Sequence, residues 1–144
     1  MATSNVDRKI SDPLMNPGDE PFFDAAAQGR LLIKQCSDCG KPHHYPRAIC
    51  PFCWSPDVQW ADASGAGTIY TFSITRRGAG APYCIAYVTL DEGPVVMTNI
   101  VDSDLEAIRI GQRVRAVLKP SEGGISIPMF TLAQTADAPA RQET

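Results

Sequence analysis

The sequence predicts a mostly β protein in two parts, a small metal-binding segment followed by a barrel or sandwich of short strands. Residues 36–53 contain two C-x-x-C pairs separated by ten residues, which is the pattern of two metal-binding knuckles. The second half of the chain contains about five short apolar segments separated by glycine turns. Only one short amphipathic helix is predicted, near the N-terminus, so an all-helical fold is excluded.

Composition narrows the class of protein. The chain has 144 residues, of which 44% are hydrophobic and 20% are charged, so it can bury a core. The formal net charge of -3 argues against a general nucleic-acid binder, which usually carries a basic excess. No apolar run is long enough to span a membrane, and the first 21 residues lack the apolar centre of a signal peptide. We therefore expect a cytoplasmic protein with reduced cysteines.

The N-terminal segments come first. Residues 1–19 are polar and contain prolines, so we expect an extended arm. The stretch "EPFFDAAAQG" predicts a short helix with Pro21 in its first turn and Gly29 as its C-cap. Its apolar face would consist of four residues: Phe22, Phe23, Ala26 and Ala27. The stretch "RLLIKQ" then predicts a strand that leads into the first cysteine pair.

The strands of the second half follow in order. In "TIYTFSIT", Tyr70, Phe72 and Ile74 alternate with polar residues, as in a half-buried strand. The turn Asp91–Gly93 joins "YCIAYVTL" to "PVVMTNIV" in a hairpin. The stretch "SDLEAIRIG" predicts one helical turn, and the two stretches "RVRAVL" and "ISIPMFTLA" predict a second hairpin. Residues 134–144 lack periodicity and predict a loose tail.

The cysteine pairs predict a metal site. Two knuckles joined by a hairpin bring four thiolates into a tetrahedron, which suits Zn²⁺, although soft sulfur ligands also hold iron. Disulfides and thioredoxin-like chemistry are alternatives, but the latter needs a βαβ unit that the sequence does not show. Because catalytic zinc keeps a position open for water, four cysteines indicate a structural role. The predicted ligands are Cys36, Cys39, Cys50 and Cys53.

Other polar residues near these cysteines have ordinary explanations. We expect His43 and His44 to be packing or surface residues, because four thiolates complete the shell. Four basic side chains would offset the net negative charge of a metal with four thiolates, rather than bind nucleic acid: Arg30, Lys34, Lys41 and Arg47. We expect Trp54 and Trp60 to pack the two parts of the chain together.

Two further features of the second half also have ordinary structural explanations. Cys84 alternates with apolar residues and has no nearby base, so we expect a core thiol rather than a nucleophile. Asp91 and Glu92 are expected to be solvated residues of a turn rather than an acid–base pair.

With these motifs in view, the chain resembles the DUF35 family. The resemblance covers roughly residues 20–133 and is carried by the cysteine ribbon followed by "SGAGTIYTFSI" and "DLEAIRIGQRV". It implies a rubredoxin-like zinc ribbon followed by a five-stranded OB-fold barrel. The implied boundaries are an arm at 1–19, helix and ribbon at 20–56, OB-fold at 57–133 and a tail at 134–144.

The resemblance also implies a function. It indicates a non-catalytic accessory subunit that assembles, as a hetero-oligomer, with a thiolase-like enzyme (a thiolase, acyltransferase or aldolase) or a MaoC-type hydratase. Such a subunit would help to shape or bind an acyl-CoA, a coenzyme A thioester. We expect the acyl-CoA or partner contact in the loop "RRGAGAP", since its arginines can bind phosphates. The loop residues are Arg76, Arg77, Gly78 and Gly80. The alternative is an OB-fold that binds nucleic acid.

Overall fold

The structure is a computed structural model that describes residues 9–78 and 80–133. The predicted arm therefore falls only partly within the described residues, and the predicted tail at 134–144 lies outside them.

The predicted N-terminal helix, α1, spans Glu20–Ala27 and has proline in its first turn. Gly29 adopts a φ of 80°, and its N–H donates to the carbonyl of Ala26, which ends the helix. The buried face consists of Phe22, Ala25 and Ala26, whereas Ala27 is exposed. The prediction placed Ala27 on the buried face where the structure has Ala25. Residues three and four positions apart share a face of a helix, and Ala25 lies three positions after Phe22.

A small antiparallel sheet follows the helix. Its strands are β1 (Leu31–Cys36), β2 (Pro42–His43) and β3 (Val58–Ala63), in the order β2-β1-β3. The strand β3 pairs with all six residues of β1, but it was not predicted from the sequence. Its sequence, "VQWADA", has weak alternation and an acidic residue, so its conformation depends on the pairing with β1.

The second half forms a closed five-stranded barrel, which confirms the predicted mostly β fold. Its strands, in the order β4-β5-β6-β8-β7, are β4 (Ala66–Thr75), β5 (Tyr83–Leu90), β6 (Val95–Ile100), β7 (Arg113–Pro120) and β8 (Ser126–Leu132). Neighbouring strands are antiparallel except β6 and β8, which are parallel. The predicted helical turn is a 3₁₀ turn at Leu105–Ala107.

A β-bulge in β4 changes which side chains face the core. The register with β5 shifts between Ile69 and Thr71. Ile69 is therefore buried, and Tyr70 is 65% exposed, so the prediction that Tyr70 belongs to the inner face was wrong. Beyond the bulge the alternation resumes, and Phe72 and Ile74 pack against the core as predicted.

The small sheet and the barrel share one hydrophobic core. The helix α1 and the strand β1 contribute Phe22 and Leu31 to the same cluster as Val88 and Phe130 of the barrel. The two parts therefore support each other, and the cysteine segment begins at the end of β1, a strand of this shared core.

Candidate metal centre and its surroundings

The four cysteines of the two C-x-x-C pairs come together at one end of the small sheet. Their sulfur atoms all lie within 4.8 Å of one another, and the cluster consists of these four cysteines alone among the described residues. The Sγ atoms of Cys36 and Cys53 are 3.6 Å apart, and those of Cys39 and Cys50 are 3.7 Å apart. A tetrahedral zinc with Zn–S bonds of about 2.3 Å needs sulfurs about 3.8 Å apart, so the arrangement fits the ion.

Each cysteine pair forms a knuckle with the same backbone geometry. The N–H of Gly40 donates to the carbonyl of Cys36, and the N–H of Trp54 donates to the carbonyl of Cys50, over 3.0 and 2.9 Å. Gly40 and Trp54 follow the second cysteine of their pairs, and both have positive φ, at 76° and 67°. Backbone N–H groups also reach the sulfurs, from Cys39 to Cys36 and from Phe52 to Cys50.

The knuckle geometry explains why one prediction failed. Because Trp54 occupies the left-handed position that Gly40 fills in the first knuckle, its side chain projects outward and is 79% exposed. Trp54 therefore does not pack the two parts together. Trp60, on β3, is half-buried against the common core, as predicted, and Lys34 Nζ lies 4.6 Å from the centre of its ring.

The pKa values of Cys50 and Cys53, the two thiols of the second pair, shift in opposite directions. A hydrogen bond from the Ser55 backbone lowers the pKa of Cys53, but burial and the three other thiols outweigh it and raise the pKa to about 12. Burial raises the pKa of Cys50, but hydrogen bonds from the backbone N–H groups of Phe52 and Cys53 lower it to about 7. Four thiolates at these distances repel one another, and a divalent cation is the charge that stabilises them together.

The two histidines lie outside the cysteine cluster. His43 is 4% exposed, and burial together with Lys34 and Arg47 lowers its pKa. The His44 ring packs 5.6 Å from the ring of Phe22, and burial and the neighbouring His43 lower its pKa to about 4. Both imidazoles are therefore neutral at pH 7 and act as packing groups, as the sequence predicted.

The basic side chains around the metal centre are placed differently from one another. Arg30 donates two hydrogen bonds to Asp62, so its charge is neutralised on the small sheet. Lys41 Nζ lies 5.1 Å from the centre of the Phe52 ring. Lys41 and Arg47 are exposed and line a cleft between the cysteine segment and the barrel.

The acidic turn between β5 and β6 joins neighbouring strands. Asp91 accepts two hydrogen bonds from the guanidinium of Arg113 on β7, at 2.7 and 2.8 Å. This contact lowers the pKa of Asp91. Glu92 accepts from the N–H of Ser64, just before β4. The two residues are thus not merely solvated, as we had expected, but connect the turn to the strands beside it.

The remaining candidates lie elsewhere on the barrel. Cys84 is fully buried within the core cluster, in agreement with the prediction of a core thiol, and burial raises its pKa.

The glycine-rich loop joins β4 to β5. It lies at one end of β5, and the turn at Gly93 lies at the other end. Within this loop Arg76 forms an ion pair with Glu106 at 3.0 Å, and Arg77 is exposed. Gly78 and Gly80 both have positive φ, as a tight loop requires.

Both parts of the chain match families of known proteins. The family model of the rubredoxin-like zinc ribbon domain of ChsH2 matches residues 23–59, and that of the ChsH2 C-terminal OB-fold domain matches residues 60–119. A solved structure, "Ltp2-ChsH2(DUF35) aldolase", superimposes with a TM-score of 0.76 at 30% sequence identity, over 84% of this chain and 98% of that one. In the described part of the chain, no helix has the length and hydropathy needed to cross a membrane.

Curated relatives fall into two groups. A DUF35 domain-containing scaffold protein of Pyrococcus furiosus is 36% identical over 95 residues, which cover 62% of this chain and 69% of that protein. A probable enoyl-CoA hydratase alpha subunit of Thermomonospora curvata is 31% identical over 122 residues, which cover 82% of this chain. The match spans only 38% of the length of that hydratase subunit.

Proposed function

Because this chain belongs to the DUF35 family, we propose that it is a non-catalytic accessory subunit of an enzyme complex that acts on acyl-CoA. In this proposal it assembles as a hetero-oligomer with a thiolase-like enzyme or a MaoC-type hydratase, and it helps to shape or bind the acyl-CoA of that enzyme. The complex would work in the cytoplasm, where cysteine thiols stay reduced.

The observation that carries this proposal is the closed cysteine cluster. Four sulfurs within 4.8 Å of one another supply every ligand of a tetrahedral ion. Cys36, Cys39, Cys50 and Cys53 would hold one zinc, and the ion would supply folding free energy rather than a site for substrate activation. With Cys84 buried and both histidines packed, these chemically reactive side chains have structural roles.

The names of the relatives support the choice of partner. One relative is named as a hydratase alpha subunit, another as a scaffold protein, and the solved structure is named as an aldolase that contains a DUF35 component. An accessory role in such a complex is consistent with all three names.

The acyl-CoA contact remains proposed at the loop between β4 and β5. Arg77 is exposed there, and the neighbouring Gly78 and Gly80 let the backbone approach a ligand closely. Arg76 is already paired with Glu106, so Arg77 is the better partner for a phosphate of coenzyme A. The substitution Arg77→Ala should raise the KM for acyl-CoA of the complex more than it changes kcat.

The nucleic-acid alternative is weaker. OB-folds bind nucleic acids across the face of their second and third strands, which here are β5 and β6. Neither strand contains a basic residue, whereas single-strand binding needs a positively charged groove.

The proposal is tested by co-expression with a candidate thiolase-like or hydratase large chain, chosen from the neighbouring genes. We expect the two chains to co-elute from a size-exclusion column and full activity to need both. Full activity of the large chain alone, with no co-elution, would refute the accessory role. Salt-sensitive binding of the isolated chain to single-stranded nucleic acid would favour the alternative instead.

A further inference from the structure

Four neighbouring strands of the barrel have no charged residue. Strands β4, β5, β6 and β8 contain none, although 20% of the chain is Asp, Glu, Lys or Arg. In contrast, β7 contains Arg113, Arg115 and Lys119. The outward face of an antiparallel sheet in contact with water usually has polar and charged side chains, so these four strands differ from an ordinary solvated face.

A stripe of exposed apolar side chains crosses this face and continues onto the cysteine segment. On the barrel, Met97 is 69% exposed and pairs in register with Tyr87, which is 44% exposed. Ile85 lines a cleft with Met97, and Val95 lines a second cleft with residues of the cysteine segment. We call the whole set the neutral stripe: Ile85, Tyr87, Met97 and Val95 on the barrel, and Tyr45 and Phe52 on the cysteine segment.

Strand β6, which contributes Val95 and Met97 to this stripe, has an edge that is open to further strand pairing, although Ile10 and Ser11 of the arm line the cleft beside it. All six residues of β6 pair with β5, but β6 meets β8 only at the pair Ile100 and Phe130. Residues 95–99 therefore have no strand partner on the β8 side among the described residues. Proteins usually protect such an edge with lysine or another charged residue, or with proline, and the residues of β6 itself include none of these.

The charges around the stripe indicate what kind of surface it fits. Lys41 and Arg47 line the cleft between the stripe and the cysteine segment, and Lys9 lines the second cleft, beside Ile85 and Met97. Glu92, the acid in the first of these clefts, is half-buried and accepts a hydrogen bond from the Ser64 backbone. Two copies of this chain docked through the stripe would place cations against cations, which disfavours a homodimer.

We propose that the neutral stripe is the docking surface for the catalytic large subunit, which covers the open edge of β6 with an extended segment of its own. The inference rests on the proposed function, because it names the surface that the large subunit would contact. The matching surface of the large subunit has an apolar centre and acidic side chains at its two ends. Strand addition supplies main-chain hydrogen bonds, and the apolar side chains of the stripe supply buried area.

The test compares two substitutions in the full chain, each placed in a complex with the large subunit that co-elutes with the wild-type protein. Met97→Glu puts a charge in the middle of the stripe. Ile110→Glu is the matched control, because Ile110 is 67% exposed and lies in the loop before β7, outside the stripe. Both variants should keep the wild-type unfolding midpoint, since neither position is buried.

We expect Met97→Glu to weaken binding roughly tenfold or more and Ile110→Glu to leave the Kd within about twofold of wild type. Hydrogen exchange should slow in β6 when the large subunit binds, which is a readout that needs no substitution. Equal affinities for wild type and Met97→Glu, with no added protection in β6, would overturn the stripe while leaving the proposed function intact.

Two other outcomes also decide the matter. If Met97→Glu abolishes a homodimer of the isolated chain and leaves the Kd for the large subunit unchanged, the stripe joins two copies and the inference is wrong. If the wild-type chain binds neither class of large subunit, the proposed function fails first, and the docking inference fails with it.

Discussion

The partly buried His44 should make the stability of this protein fall between pH 7 and pH 4. Its imidazole is neutral in the folded state, because burial and His43 lower its pKa from 6.5 to about 4. The unfolded chain takes up a proton below pH 6.5, whereas the folded chain does so only near pH 4. The contribution of His44 is therefore fully present above pH 6.5 and is lost as the pH falls towards 4.

The size of this loss follows from the two pKa values. The difference corresponds to roughly 3 kcal/mol in full, and about 2 kcal/mol of it should be lost at pH 5. Other groups, including the thiols, also titrate in this range, so a single unfolding curve does not isolate the histidine. The substitution His44→Phe removes the titration and keeps an aromatic ring against Phe22.

The assay is urea unfolding of wild type and His44→Phe at pH 7 and pH 5, followed by tryptophan fluorescence. We expect the free energy of unfolding of wild type to fall by about 2 kcal/mol more than that of the variant over this interval. Contributions that both proteins share cancel in that difference. An equal fall in the two proteins would show that His44 is already protonated in the folded state at pH 5, which contradicts its burial against Phe22.

Three further predictions concern the metal, the barrel and the acidic turn. Cys36→Ser should lower the zinc content, measured by elemental analysis, from one ion per chain to none and lower the unfolding midpoint; a stable, metal-free wild type would contradict this. Gly67→Ala should destabilise the barrel by about 1–3 kcal/mol in urea unfolding, because its Cβ would lie 2.6 Å from Cγ1 of Val88. Asp91→Asn should cost up to about 1 kcal/mol at pH 7, and this difference from wild type should shrink at low pH, where Asp91 itself becomes protonated.

The sequence predicted those features that depend on residues close together in the chain. The spacing of the cysteines predicted the cluster, and the glycine turns at Gly93 and Gly124 predicted the two hairpins. These features are local, because a turn type and its flanking alternation are set within a few residues.

Other features depended on contacts between distant segments. The strand β3 forms because β1 offers a partner edge. The bulge that exposes Tyr70 appears only when β4 is aligned with β5. The outward position of Trp54 follows from the repeated knuckle geometry rather than from its size or hydropathy. Periodicity within one segment contains no information about such pairings.

The neutral stripe was missed although its signal was in the sequence. A strand with one face in water usually has polar side chains on that face, yet β5 and β6 offer Ile85, Tyr87, Val95 and Met97 there. The absence of charge in both strands of a predicted hairpin is thus a sign of a covered surface.

The metal centre and the stripe are physically connected, and this connection gives the closed metal site a role beyond local stability. Tyr45 and Phe52 lie on the cysteine segment, whereas Val95 lies on the barrel, and one cleft brings the three together. Phe52 sits between Cys50 and Cys53, so its position depends on the knuckle that those residues form. A segment this short has little core of its own, and the metal fixes the knuckle that places Phe52 beside the barrel. In the proposed complex, zinc would therefore influence the large subunit through the shape of the proposed docking surface, without contacting a substrate.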